Sequence, residues 1–231
     1  EVAAGLGAGL VQILERRARE LELPRGLTAA AARVSGDASP ERYDALAAIS
    51  TGDRIDRDLL WEQARNVGYP VLPLVRQLSG QLPAGPDGHI HWGATTQDIM
   101  DTGLVLQLVA AGDRMVALLT EFGDALAAQT RKHRNTVTAA RTHAQQAVPT
   151  TFGTKLAVYL AQVTRDLTRV RKAREEVRTL SLYGAGGTSA ALGENAAEVR
   201  RRMAEELQLH VDDVPWHVAR DRLVEFGSAL A

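Results

Sequence analysis

The sequence predicts an all-α protein whose longest helices form an extended bundle. Ala, Leu, Arg and Glu dominate the 231-residue chain, and no stretch shows the period-two alternation of a half-buried strand. Two long segments, residues 96–131 and 149–180, carry apolar side chains at helical spacing along one face. Each would form a helix of about 45–55 Å, and helices of that length need partners along their whole length.

Shorter helices complete the predicted fold, with glycine and proline between them. They span residues 4–22, 28–34, 40–49, 54–67, 70–81 and 194–208, and a last helix begins near Pro215. We therefore expect a small helical domain over residues 1–95 and a long-helix bundle domain over residues 96–231. The apolar stripes of the two long helices are broad, which predicts burial against further copies of the chain.

Composition limits the classes of partner and cofactor. The net charge is −1, and no apolar run approaches the roughly 20 residues of a membrane span, so we expect neither a nucleic-acid nor a membrane partner. Cysteine is absent, which fits a reducing compartment such as the cytoplasm. His89 and His91 are candidate metal ligands, but no third ligand stands beside them, so we expect no metal and no cofactor.

An anion site is predicted at the start of the first long helix. Residues 83–88 are rich in proline and glycine, and Thr95, Thr96 and Asp98 can cap the helix that follows. The positive end of the helix dipole and unpaired backbone N–H groups would face the same volume as His91, which we interpret as a substrate hydrogen-bond donor. Such a turn suits a carboxylate.

A second polar turn precedes the other long helix. Residues 141–149 read Arg-Thr-His-Ala-Gln-Gln-Ala-Val-Pro, and Pro149 suits a first helical turn. His143 is a candidate general acid or base, because imidazole titrates near neutral pH. A surface histidine hydrogen-bonded to the backbone is the alternative. Together the two turns predict an anion site that contains a proton-transfer group.

Two further segments allow more than one interpretation. The glycine-rich residues 183–189 lack a preceding strand and the Gly-Lys-Ser/Thr of a phosphate-binding loop. They are either a flexible turn between helices or a loop that closes on a small anion. Residues 220–225 are typical of a solvated helix face with i,i+3 and i,i+4 charge pairs, although Arg220 also suits bidentate carboxylate recognition.

Three of these segments together resemble the fumarase/aspartase superfamily of lyases. They are Gly-Ala-Thr-Thr-Gln-Asp-Ile-Met-Asp-Thr at 93–102, Arg-Thr-His-Ala-Gln-Gln-Ala-Val-Pro-Thr-Thr-Phe-Gly at 141–153 and Gly-Ala-Gly-Gly-Thr at 184–188. The resemblance covers the chain from about residue 60 onward. It implies long helices assembled as a homotetramer, with active sites shared between subunits.

Within the superfamily, the likeness favours one branch and leaves others open. Residues 71–78, the Gln145-Gln146 pair and residues 215–226 resemble the bacterial 3-carboxy-cis,cis-muconate cycloisomerases. His143, however, stands where that branch often has Trp and the lyases have His. Adenylosuccinate-lyase activity is therefore the first alternative, and a non-catalytic helical assembly module is the second.

The resemblance implies a reaction in which a base removes a proton alpha to a carboxylate and gives an aci-carboxylate dianion. A C–O or C–N bond beta to that carboxylate then breaks. For the cycloisomerases, the reversible step joins a muconate carboxylate to its own double bond and forms a carboxymuconolactone, in the β-ketoadipate pathway of aromatic compound catabolism. The dianion needs concentrated positive potential, which helix N-termini and hydroxyl-rich turns supply.

The resemblance also implies roles for individual residues around a small polycarboxylate substrate. Thr142 and His143 would position the substrate and move a proton. Thr188 and Ser189 would approach from another subunit. The residues that would bind substrate are His91, Thr95, Thr96, Gln97, Arg141, Gln145, Gln146, Thr188, Ser189 and Arg220.

One segment typical of the superfamily is missing from the sequence. A mobile loop reading approximately Gly-Ser-Ser-x-Met-Pro-x-Lys-x-Asn-Pro supplies the catalytic base in its members, and no lysine follows Lys172 here. Since the sequence ends within a predicted helix at Ala231, we expect that this segment has been truncated. We also expect little or no turnover from the chain alone.

Overall fold

The computed structural model describes residues 54–81 and 90–230, and it confirms the all-α class. The helices predicted over 4–22, 28–34 and 40–49, and His89, lie outside the described residues. The described helices are α1 Arg57–Val67, α2 Val71–Ser79, α3 Thr96–Lys132, α4 Phe152–Val177, α5 Ala196–Leu207 and α6 Asp221–Ala229, with a 3-10 helix at Ala190–Asn195.

An antiparallel hairpin corrects the prediction that strands are absent. Strand β1, Val137–Thr142, pairs with β2, Gln145–Thr151, and a bulge lies between Ala139 and Arg141. Pro149 does not begin a helix: it lies in β2 opposite Ala139, and α4 begins at Phe152. A two-stranded sheet has only edge strands, which tolerate a residue without an N–H.

The chain divides into two compact units. Unit 1 comprises the described residues up to Leu108 together with Arg178–Arg220, and unit 2 comprises Val109–Val177 together with the residues from Asp221 onward. Helix α3 contributes residues to both units. The domain boundary expected near residue 95 stays a prediction.

Unit 1 begins with a helix pair that is fixed by side-chain capping. The Asp56 side chain accepts a hydrogen bond from the Leu59 N–H at the start of α1, and Gly68 ends that helix with φ of 91°. The Gln77 amide exchanges two hydrogen bonds with the backbone of Asp56, which ties α2 to the start of α1. Elsewhere in unit 1 the buried apolar side chains include Val105, Leu180, Leu182, Tyr183, Val199, Met203 and Trp216.

Unit 2 has its own apolar core. Its buried side chains come from α3, α4 and α6 and include Ala111, Val163, Val170, Ala173, Val177 and Phe226. At Gly112 a Cβ atom would lie 2.7 Å from Cγ of Arg174, so α3 and α4 are closely packed there. Phe122 and Tyr159, by contrast, are 53% and 50% exposed within the single chain.

Helix α3 bears on the expectation that the chain has no membrane span. By length and composition alone it is the one helix among the described residues that could cross a membrane. A core helix of a protein that never enters a membrane passes the same test, so this is weak evidence. Asp98 and Asp101 of α3 are buried and hydrogen-bonded within unit 1, which is the pattern of a helix packed inside a protein.

Candidate functional site

A buried carboxylate organises the N-terminus of α3. Asp98 lies in the first turn of the helix and accepts a hydrogen bond from the Thr95 N–H at 2.9 Å. Asp98 therefore takes the place of the third helical residue of a capping box, whose side chain accepts the N–H of the residue that precedes the helix. This confirms that Asp98 caps the helix. The predicted anion-binding turn therefore has a defined geometry, fixed from within by its own third helical residue.

Asp98 also binds the glycine-rich segment that follows α4. Its oxygens accept the N–H groups of Tyr183 at 3.0 Å and Gly184 at 2.8 Å, and the Ser181 hydroxyl at 2.9 Å. One turn along α3, the Thr102 hydroxyl donates to the Ser181 carbonyl and accepts from the Ser181 N–H. The first and third of the sequence segments typical of the superfamily are thus brought together in unit 1.

The ionised form of Asp98 is stabilised in spite of its burial. Burial by itself raises the pKa of this carboxyl, because it penalises the charge. Hydrogen bonds from Thr95, His217, Tyr183 and Gly184 oppose that effect, and the net result is a pKa below the ordinary value. Asp98 is therefore a carboxylate at neutral pH and an acceptor in each of these bonds.

A second carboxylate, Asp101, lies three residues further along the same helix face. Arg220 binds it in bidentate geometry, with N–O distances of 2.8 and 2.9 Å, and Gln97 donates its amide N–H to it at 2.8 Å. His217 binds Asp98 through Nε2 at 2.7 Å. Asp98 and Asp101 therefore hold His217 and Arg220, which are also three residues apart.

The segment that carries His217 is attached to the core at an independent point. Trp216 is buried and donates its indole N–H to the Leu180 carbonyl at 2.9 Å, and the Arg220 guanidinium lies 5.9 Å from the Trp216 ring centre. These contacts hold residues 216–220 outside any helix, so the last helix begins at Asp221 rather than near Pro215.

Close packing explains one glycine of the turn before α3, Gly93, and one of the glycine-rich loop, Gly184. Gly93 has φ of 74°, and a Cβ atom there would lie 2.3 Å from Cδ2 of Leu192. Gly184 has φ of 75°, and a Cβ atom there would lie 3.3 Å from the Gly93 carbonyl oxygen. The glycine-rich loop packs against the anion turn, and it is not a detached linker.

The predicted binding residues of unit 1 fall into two groups. Gln97, Ser189 and Arg220 are engaged within the chain, with Ser189 buried and accepting a 2.6 Å hydrogen bond from Arg200. His91 has φ of 68° and is partly exposed, in a left-handed conformation that histidine adopts more readily than most residues. Within the described residues, the hydroxyls of Thr95 and Thr96 form no hydrogen bond, whereas the exposed Thr188 accepts from the Ala190 N–H.

The predicted residues of unit 2 all lie on the exposed hairpin. His143 and Ala144 form its turn, with Ala144 at φ of 53°, and Gln145 donates to the Thr142 hydroxyl at 3.3 Å. The predicted turn is therefore present, but it is confined to His143 and Ala144, because the flanking residues belong to β1 and β2. The exposed predicted side chains are Arg141, Thr142, His143, Gln145 and Gln146.

Sequence reasoning did not assign a site role to Asp98, Asp101 or His217. The available signal was the pair of aspartates at i,i+3 in the first two turns of an otherwise apolar helix. An unpaired buried charge is costly, so each aspartate required a partner from elsewhere in the chain. Within the described residues, no group of three or more histidine, aspartate and glutamate side chains is arranged to hold a metal ion.

The comparisons with known proteins define the class. Residues 52–231 match the family described as Lyase, and the chain belongs to this family, within the fumarase/aspartase superfamily. The 3-carboxy-cis,cis-muconate cycloisomerase of Pseudomonas aeruginosa is 41% identical over 204 residues, which are 87% of this chain and 42% of that protein. The N-acetyl-S-(2-succino)cysteine lyase of Dickeya dadantii is 34% identical over 202 residues, 86% of this chain and 44% of that protein.

Solved structures give the same result for the fold. The 3-carboxy-cis,cis-muconate lactonizing enzyme from Pseudomonas putida superposes with a TM-score of 0.84 at 39% identity, over 89% of this chain and 49% of that one. A fumarate lyase from Mesorhizobium sp. BNC1 gives a TM-score of 0.81 at 35% identity, over 96% and 53%. The chain therefore spans about half the length of the relatives that it matches.

Proposed function

We propose that the protein containing this chain is a cycloisomerase that converts 3-carboxy-cis,cis-muconate to a carboxymuconolactone through an aci-carboxylate intermediate. The observation that carries this proposal is the N-terminus of α3. Buried carboxylates fix its position, while the Thr95 and Thr96 hydroxyls stay free of bonds within the described residues. A helix start of this kind favours a substrate carboxylate.

The chain's residues would divide the work of the reaction. The first turn of α3 would hold the carboxylate whose charge grows as the aci-carboxylate forms, where fixed dipoles are most effective. In the lactonising direction, the C–O bond forms at the carbon beta to that carboxylate, and the alpha carbon then receives a proton. His143 and Thr142 would supply or position that proton, since His143 lies at an exposed hairpin tip that can approach a substrate.

The proposal includes a homotetramer with shared active sites. Large apolar side chains of unit 2 are exposed in the single chain, among them Leu118, Phe122, Val158 and Tyr159. A surface of this kind is typical of an interface between subunits. We expect sedimentation or light scattering to give a mass of four chains for the full protein, and a monomeric mass would contradict this part. We place the protein in the cytoplasm, with no nucleic-acid partner.

A substrate panel tests the reaction. The full-length protein is incubated with 3-carboxy-cis,cis-muconate, with adenylosuccinate and with N-acetyl-S-(2-succino)cysteine. Loss of muconate absorbance supports the proposal, whereas fumarate release from adenylosuccinate favours the first alternative. The relatives named as N-acetyl-S-(2-succino)cysteine lyases justify the third compound. Turnover of none of the three would favour the non-catalytic module.

A matched pair of variants tests the carboxylate site itself. Thr96→Ala removes a hydroxyl at the first turn of α3, and we expect KM to rise by about tenfold, because a hydrogen bond to a charged group is lost. Thr120→Ala is the control, since that hydroxyl bonds only the Val116 carbonyl on the exposed surface of the same helix. Equal KM values for the two variants would place the substrate elsewhere.

A side-by-side assay tests the expectation for this chain alone. We expect little or no turnover from residues 1–231 and measurable turnover from the full-length protein, because the resemblance to the superfamily implies that the catalytic base lies in the Gly-Ser-Ser-containing loop, which this sequence lacks. Equal rates would refute the assignment of the base to that loop.

A further inference from the structure

The imidazole of His217 is held in one orientation by Asp98. Nε2 of His217 lies 2.7 Å from Oδ1 of Asp98. Since hydrogen bonds keep the pKa of Asp98 below its ordinary value, the carboxylate is the acceptor and Nε2 carries the hydrogen. The Tyr183 ring meets the imidazole edge-on, with ring centres 6.0 Å apart, and restricts its rotation further.

The other ring nitrogen has a different environment. Within the described residues, Nδ1 of His217 forms no hydrogen bond and no ion pair. The His217 side chain is 16% exposed, whereas Asp98 is fully buried. Among the described residues, Nδ1 of His217 is not one of the fully buried side-chain nitrogen and oxygen atoms that lack a hydrogen-bond partner, so it is at least partly accessible.

The location of this nitrogen connects it to the anion turn. Asp98 binds both the His217 imidazole and the Thr95 N–H, so Asp98 alone links the imidazole to the start of α3. An imidazole that is oriented through one nitrogen can present the other to a ligand, and a proton on Nδ1 lets it donate to a carboxylate. The Asp98 charge then compensates that of the imidazolium ring.

We propose that His217 is a further substrate-binding residue, whose Nδ1 contacts a carboxylate of the anion held at the start of α3. This inference rests on the proposed function, because it assumes a polycarboxylate at that helix N-terminus. It adds a ligand contact that was not predicted from the sequence, and it assigns two roles to Asp98. Asp98 caps the helix and also presents the imidazole to the substrate.

Two substitutions separate ligand binding from a purely structural role. The amide nitrogen of glutamine can take the place of Nε2, so His217→Gln keeps the bond to Asp98 and removes Nδ1. The amide of asparagine is too short to reach Asp98, so His217→Asn removes that bond. We expect His217→Gln to unfold at the same temperature as the wild type, and His217→Asn to unfold earlier.

Calorimetric titration with tricarballylate, an unreactive tricarboxylate, measures the binding. We expect His217→Gln to weaken the affinity by at least about tenfold while its thermal stability is unchanged. Wild-type affinity in His217→Gln would overturn the inference and leave the proposed function standing. Failure of the wild type to bind tricarballylate at all would contradict the carboxylate site, and with it the proposed function.

Nitrogen NMR of the wild type gives a test that needs no variant. In protein labelled with ¹⁵N-histidine, tricarballylate should shift the Nδ1 resonance of His217 and leave His133 unchanged. His133 is a suitable internal control, because its Nδ1 already contacts the Thr136 hydroxyl in unit 2. An unshifted His217 resonance at saturating tricarballylate would also overturn the inference.

Discussion

The start of α3 and residues 141–149 were both predicted to be polar turns before a long helix, yet they are built in opposite ways. In unit 1, Asp98 is fully buried and its oxygens receive hydrogen bonds from three separate segments of the chain. In unit 2, residues 141–149 are exposed, and Gln145 and Thr142 form the one side-chain hydrogen bond described between them. The first region is assembled by its own chain, whereas the second offers its polar groups outward.

This difference indicates which polar groups stabilise the fold and which are free to bind other molecules. Groups that are saturated within the chain determine whether the fold forms, and groups that remain unsaturated are available to a ligand or another subunit. The comparison therefore predicts large losses of stability in the first region and small ones in the second.

The largest loss is expected for Asp98→Asn. Asparagine keeps one oxygen acceptor, so its NH2 group would face the backbone N–H of either Tyr183 or Gly184, which now donate to different oxygens of the carboxylate. We expect the free energy of unfolding to fall by about 3 kcal/mol in urea titrations. Asp113→Asn is the control, because Asp113 is mostly exposed and should change stability by less than about 1 kcal/mol. Similar losses for both variants would contradict the importance of burial.

Lowering the pH should gradually remove the contribution of the Asp98 charge to the free energy of unfolding. The pKa of Asp98 is lowered in the folded state, so its stabilisation is fully present above the unfolded value of about 3.9 and is lost as pH falls through the folded pKa. We expect the stability difference between wild type and Asp98→Asn to be constant near neutral pH and to shrink below about pH 4. A constant difference down to strong acid would show that the charge of Asp98 is not the cause.

Gly93→Ala should have an intermediate effect. The added Cβ would lie 2.3 Å from the Leu192 side chain, and the alanine would have to adopt a left-handed backbone conformation. We expect a loss of about 1–3 kcal/mol by thermal unfolding. Gly103→Ala, where nothing lies within 4 Å, should instead stabilise α3 by up to about 1 kcal/mol. The opposite order would show that the turn can open without cost.

The smallest effect is expected on the hairpin. His143→Gln and Thr142→Ala alter exposed side chains, and each should change the free energy of unfolding of the chain by less than about 0.5 kcal/mol. Chemical denaturation followed by circular dichroism measures this. A loss above about 1 kcal/mol in either variant would mean that the hairpin contributes to the packing of unit 2.

The fold was predictable from sequence where apolar residues repeat at a regular spacing, because that spacing shows which face of an element is buried. Helix α3 was expected over residues 96–131 and spans Thr96–Lys132, because its apolar face repeats at helical spacing. The hairpin was missed because both faces of the sheet are largely exposed, so no period-two alternation separates inside from outside. Its signals were the β-branched residues Val137, Thr138, Val148, Thr150 and Thr151.

The candidate site was only partly predictable for a related reason. Asp98 could be identified as a cap, since its partner Thr95 is three residues away. Its bonds to Tyr183 and His217 join residues that are 85 and 119 positions apart, and no local pattern encodes such contacts. The roles of His143 and the other hairpin residues stay predictions.

Helix α3 binds residues 217–220 at both ends, through Asp98 to His217 and through Asp101 to Arg220, and this limits how residues 217–220 can vary. Between His217 and Arg220 lie Val218, which is 94% exposed, and Ala219. Many side chains could replace Val218, but inserting or deleting one residue would leave either Asp98 or Asp101 facing the wrong neighbour. The spacing of this stretch is therefore constrained much more tightly than its composition.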